Sequence, residues 1–431
     1  MLNFNSIICR LGVLSLLIAC QPLDSTHGVA QRQHVKTVPG TSNSAQFPAA
    51  QDLAILIPRS PTDKVSASPQ GSQNTALLPR RWIDQVSEGF AQTPVGSAIE
   101  DENWYEDWQL VAIRIAPCAP LTGTIAALDS NLCWPEIRLV WQPTMYDIAI
   151  RGVFQPAYSD DRAIHALYNF VPSGDFNDVT TMLDEIRKQG TVDTEAFGVL
   201  RDQAVGQLLN EIRALRMSFS REYGSLSYRS ELLADDTTSA LFLARLVRWL
   251  ESNITPYNAH TLTAFSLPSG RQPAGIDLWS FIAFTVTAGQ LNQTHLEIID
   301  PLTGEVIGLL QGAETVSSGN ADPSLLEQVD DSDAGRRLGA QILNGGSDKD
   351  SLGDRINDPH QTLVPNTSCS TCHSFNPLIF NMHNLSYLET DDINVAPRVV
   401  ADVASDLQWL NRFINQQTPN SDNVEEPRTF H

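Results

Sequence analysis

The sequence predicts an α+β fold: a β-rich body with a helical block, plus a small, mostly α C-terminal module. Three observations predict it. Two stretches, Asp107 to Phe170 and His260 to Gly308, alternate apolar and polar residues with a period of two. The chain between them repeats its apolar residues every three or four positions. A Ser-, Gly- and Asp-rich stretch over 314–354 then separates this body from a second helical stripe near the C-terminus. At 431 residues there is room for two or three compact units. With 42% apolar and 18% charged residues, the composition is globular rather than disordered.

The first element is a leader. Leu11 to Ala19 is an apolar run after Arg10, far shorter than the roughly 20 residues that cross a bilayer, and it suits the apolar core of an export signal. It ends Leu17-Ile18-Ala19-Cys20, which resembles the bacterial lipobox. That resemblance implies that residues 1–19 are a signal peptide and that Cys20 carries the lipid. Gln21 rather than Asp follows, as in lipoproteins bound for the outer membrane of a Gram-negative envelope. The membrane is then a partner through a lipid anchor only. The alternative is an ordinary signal peptide with an incidental Cys20. Residues 20–80, rich in Ser, Thr, Pro, Gln, Asn and Gly, are expected to form a flexible tether, with Leu53 to Ile57 as one patch able to dock as a strand.

The body is expected over 81–313. Val111, Ile113 and Ile115 mark one strand, and Ile137, Leu139 and Trp141 a second. Ile148 to Phe154 and Ile164 to Phe170 mark further strands. Cys118 and Cys133 sit at the inner ends of the first two. In an exported chain they are expected to form a disulfide, worth about 3 kcal/mol by loop closure. Phe197, Leu200, Ala204, Leu208, Ile212 and Leu215 give one helical stripe, with Asp193 as its N-cap. Phe242, Leu246, Trp249 and Leu250 give another. Leu262, Phe265, Phe281, Phe284, Val286, Leu296 and Ile298 are the buried positions of the returning strands, and Pro301 to Gly304 reads as a turn. In the 314–354 linker, Asp330, Asp331 and Asp333, then Asp348, Asp350 and Asp354, lack the order of a calcium-binding loop and read as solvated acids.

Residues 355–431 carry the one motif with chemistry: Cys369-Ser370-Thr371-Cys372-His373. Two thiols separated by two residues share one face of a turn. They match the two vinyl groups on one porphyrin edge, and the next residue then supplies an imidazole to the iron. Other readings of the pair are a redox-active or structural disulfide, or half of a zinc site that no second Cys pair completes. Over these residues the chain resembles the c-type cytochromes. It is also similar to exported bacterial lipoproteins of unknown role with one such motif near the C-terminus. The resemblance implies one covalent haem c, held by Cys369 and Cys372 with His373 as proximal ligand, and outer-sphere electron transfer. The distal position is left among His360, His383, Met382 and an open site. Pro397 opens a last helix, with Val400, Val403, Leu407, Leu410 and Ile414 as its stripe, expected to close the module over the haem.

Lys and Arg number 28 against 50 Asp and Glu, a net charge of −22. That balance argues against nucleic acid and suits a basic redox partner. No hydrolase elbow, metalloprotease helix, phosphate loop or dinucleotide fingerprint is present. The expected class is therefore an electron carrier or binding protein rather than an enzyme turning over a substrate. The competing reading is a structural or partner-binding lipoprotein in which Cys369 and Cys372 form a disulfide.

Overall fold

A computed structural model describes residues 48–58, 65–67, 76–91, 105, 108–121, 132–145, 149–150, 153–154, 158–159, 163–172, 176–189, 194–216, 226–233, 236–266, 278–293, 295–299, 306–311, 314–317, 357–360, 395 and 397–417. The fold is α+β, built on an antiparallel sheet. Its strands are β1 (Ala54–Leu56), β2 (Trp108–Pro120), β3 (Cys133–Met145), β7 (Ala163–Asn169), β8 (Ala259–Ser266), β9 (Leu278–Thr287) and β10 (Gln290–Gln293), adjacent in that order. The short β6 (Tyr158–Ser159) pairs with β3, and β13 (Glu314–Ser317) pairs with β9. Two small pairs stand apart from this sheet: β4 (Ala149–Ile150) with β5 (Val153–Phe154), and β11 (His295–Ile299) with β12 (Val306–Gln311).

The period-two pattern sets the two faces of the sheet. Cross-strand partners place Ile113, Leu139, Ala166, Leu262 and Phe284 in one row, and Leu110, Trp141, Ile164, Ala264 and Ile282 in the next. All ten are buried, and they form the apolar face. The row between them carries Ala112, Val140, His165, Thr263 and Ala283, and beyond the first row come Arg114, Arg138, Leu167, Thr261 and Thr285, then, two rows on, Ala116, Glu136 and Asn169. They form the second, more polar face.

Helix α2 (Arg80–Ala91) covers the apolar face with Trp82, Ile83, Val86 and Phe90. Gly89 lets it approach closely, because a Cβ there would lie 2.1 Å from Ile282 Cδ1. Ala288 and Gly289 both take positive φ (49° and 75°) in the two-residue turn between β9 and β10. The carbonyl of Gly289 accepts Arg81 Nη2 at 2.8 Å and Trp82 Nε1 at 3.0 Å, which ties the turn to α2.

The helical block is α3 (Phe176–Gln189), α4 (Thr194–Leu215) and α5 (Asp236–Asn253). The expected stripe of α4 is buried at Phe197, Ala204, Leu208, Ile212 and Leu215, and that of α5 at Phe242, Leu246, Trp249 and Leu250. Asp193 and the turn at 301–304 lie outside the described residues. Cys118 and Cys133 are disulfide-bonded, with Cα atoms 4.9 Å apart. The bridge closes the β2–β3 connection at its base.

Two boundaries differ from the sequence expectation. Part of the expected tether belongs to the body. Helix α1 (Ala50–Leu53) leads into β1, which pairs with β2, so the Leu53–Ile57 patch docks as a strand. Leu77 and Leu78 are buried as well. Buried Asp52 anchors this segment by pairing with Arg216 and, at 3.0 Å, with Arg229, whose other nitrogen reaches Glu231 at 2.9 Å. These charges lie far apart in sequence, so local composition does not reveal the docking. The second difference is the last helix, α6 (Pro397–Gln417). It forms as expected, but Val403, Leu410 and Phe413 join the core of the body. Its stripe matches the sheet because Asp406 meets Arg114 of β2 there.

Candidate functional site

Cys369, Cys372 and His373 lie outside the described residues, as do His383, Met382 and Cys20. His360 lies within them. It is exposed, its backbone N–H donates to Asp358 Oδ1 at 2.9 Å, and its Nε2 is 3.5 Å from Ser405 Oγ on α6. On the other side of the motif, Val395 packs against the core just before α6 begins. Both described flanks of the motif therefore rest near α6. Among the described residues no group of His, Cys, Asp and Glu is arranged to hold a metal ion. No described helix is long and apolar enough to cross a membrane.

The seat of α6 is electrostatic as well as apolar. Arg114 and Arg138 are direct cross-strand partners on β2 and β3. Two like charges so placed repel unless counter-charges reach both. Asp406 supplies one, bonding Arg114, which also donates to the carbonyl of Leu53 at 3.3 Å. Burial pushes the Asp406 carboxyl up to about 6, against the pull of Arg114. Glu136 supplies the other, 3.8 Å from Arg138. Arg398 and Asp402, one turn apart on α6, pair at 2.8 Å.

Glu136 also meets His260, Oε2 to Nε2 at 3.1 Å, while His260 Nδ1 lies 3.0 Å from Thr261 Oγ1. A bulge in β8 makes this contact. Leu167 pairs with Thr261 and Tyr168 with Ala259, so His260 is the extra residue turned to the polar face. Burial lowers the His260 pKa, and the nearby Arg187 adds to that, so the ring is neutral near pH 7. Burial alone would raise Glu136. The hydrogen bond and charge of His260, with Arg138 and Arg187, outweigh it and hold the carboxyl below its ordinary value. Arg187 of α3 bonds Asn169 Oδ1 and lies 3.5 Å from Asp184. The Glu136–His260 pair can hold a proton at a buried position and fastens β3 to β8, while Arg187 fastens α3 to β7.

A cavity of about 760 Å³ lies elsewhere, between α4, α5 and the end of β7. Glu211 sits in its wall and accepts Gln207 Nε2, Trp249 Nε1 and Asn253 Nδ2, each at 2.9 Å. Arg245 and Arg248 line it too, with Val171, Pro172 and Leu215 as apolar wall. Of these groups the sequence marks Leu215 and Trp249, as positions of the helical stripes, and it does not mark Glu211, Arg245 or Arg248. The polar positions Arg245, Arg248 and Ser252 recur at helical spacing beside the apolar stripe of α5, but so do those of most surface helices. Glu136 and Arg138 were visible only as the outward half of an alternating strand. The chain matches no family model, no curated protein and no solved structure.

Proposed function

We propose that the chain is an exported, lipid-anchored monohaem c-type cytochrome-like protein that passes electrons in the bacterial envelope. The observation that carries this reading is Cys369-Ser370-Thr371-Cys372-His373, together with the apolar run Leu11 to Ala19 before Cys20, which suits an export signal. The donor chemistry fits the group: two thiols at thioether spacing followed by an imidazole. Cys369 and Cys372 would hold the porphyrin, and His373 the iron. Bound there, the haem supplies reversible one-electron transfer. His360 is favoured as the distal ligand, because an exposed imidazole whose ring contact among the described residues is a long one to Ser405 is freed at little cost. His383, Met382 and an open position are the other distal choices. The Cys118–Cys133 disulfide supports an oxidising compartment, where such a haem is attached. The acidic balance of 50 against 28 favours a basic redox partner.

Expression with a haem-attachment system tests this. The expected result is a Soret band that survives denaturation, with a mass raised by one haem and lost in the Cys369→Ser, Cys372→Ser double variant. A chain without the band, lighter by two hydrogens at this pair, overturns the proposal in favour of a partner-binding lipoprotein with a Cys369–Cys372 disulfide. Ready carbon monoxide binding by the reduced protein marks an open distal site, and its absence marks six-coordinate iron.

A further inference from the structure

The cavity between α4 and α5 has the size and lining of a small-molecule site, and its charge is out of keeping with the rest of the chain. At about 760 Å³ it falls within the range of ligand pockets. Acids outnumber bases 50 to 28 in the sequence. Even so, among the described residues neither Arg245 nor Arg248, one turn apart on its wall, has an ion-pair partner within 4 Å. Among the described residues the Arg248 guanidinium donates to the carbonyl of Ala244 in its own helix, at 3.2 Å. The acid in the wall, Glu211, is already held by Gln207, Trp249 and Asn253. Those three bonds also fix the Trp249 ring and the Asn253 amide in place, so the polar side of the cavity is set before anything binds. Val171, Pro172 and Leu215 supply an apolar side.

We infer that this cavity binds an organic anion with an apolar body, its acid group paired with Arg245 and Arg248 and its body against Trp249, Val171 and Pro172. Two guanidiniums present a fork of donors suited to a carboxylate or a sulfonate. The inference stands apart from the haem reading, since none of these residues belongs to the motif.

The test uses the full chain and two probes of one frame. 8-Anilinonaphthalene-1-sulfonate carries the charge, and N-phenyl-1-naphthylamine does not. Equilibrium dialysis reads free probe directly, so a bound chromophore does not interfere. The expected result is one saturable site for the sulfonate, weakened by about tenfold in Arg245→Gln and again in Arg248→Gln, as for the loss of a charged hydrogen bond. The uncharged probe should bind both variants as it binds the parent chain. Both arginines are exposed, so the variants are expected to fold, with circular dichroism as the check. Sulfonate affinity unchanged in the variants, equal losses for the two probes, or the lack of a saturable site overturns the inference.

Discussion

The two faces of the central sheet solve the same burial problem by different means. On the apolar face, rows such as Ile113, Leu139, Ala166, Leu262 and Phe284 are buried, with α2 packed over the β9 end, and stabilisation is spread over many contacts with no direction. On the polar face, Arg114, Arg138 and Glu136 alternate with those residues and are covered in part by α6 and α3. There the docking is fixed by a few charges, each needing a particular partner. The apolar face tolerates shifts that keep volume. The polar face tolerates no loss of a partner, because a buried charge left alone is costly. The difference teaches how α6 is placed. Its stripe could rest on many apolar surfaces, but Asp406 has one Arg114 to meet.

Breaking the apolar face should give the largest effect. Trp141→Ala removes a fully buried indole and is expected to cost about 3–5 kcal/mol in denaturant unfolding. The next is Arg114→Met, which strands Asp406 and should cost about 3 kcal/mol. Adding Asp406→Leu should recover part of that loss, whereas simple additivity of the two changes would break the comparison.

The pH dependence sharpens the contrast within the polar face. His260 and Glu136 have lowered pKa values, so the folded state binds fewer protons than the unfolded one. Their contribution is lost as pH falls, from about 6.5 for His260 and from 4.5 for Glu136. Asp406 is raised from 3.8 to about 6, so it acts in the opposite sense and favours the folded state as pH falls through that window. Asp406→Asn should therefore steepen the acid loss by up to about 1.4 kcal/mol per pH unit, and His260→Gln should flatten it near pH 6. Unfolding free energies measured from pH 4 to 7 decide both. The smallest effect belongs to the turn that α2 grips. Ala288→Gly relieves a left-handed alanine and is expected to stabilise by about 0.5–1 kcal/mol, read as a higher denaturation midpoint.

These contrasts also explain what was legible in the sequence. The apolar face was legible residue by residue, because burial on one side of a strand writes a period of two at Ile113, Ile115, Ile137, Leu139 and Trp141. The helical stripes of α4, α5 and α6 were legible for the same reason, at their own period. The Cys118–Cys133 bridge followed from position and compartment. What joins these pieces was not legible. Asp52 meets Arg216 and Arg229, and Asp406 meets Arg114, across separations of 164, 177 and 292 residues. A charge carries no mark of its partner in one sequence, so the body was expected to begin at 81 and to leave α6 to a separate module. The bulge that turns His260 to Glu136 was equally silent, since one extra residue in a strand leaves the composition unchanged.

Gly89 bears on how this fold can vary. The volume a β-carbon would take at 89 is already held by the terminal methyl of Ile282. One carbon can occupy that space, but it can come from either side. Ile282→Val vacates it, and Gly89→Ala fills it again. Each change alone leaves a gap or a clash, while together they restore the packing. Helix α2 and strand β9 thus share a single methyl between them, and substitutions at 89 and 282 are expected to travel as a pair through any lineage that keeps the fold.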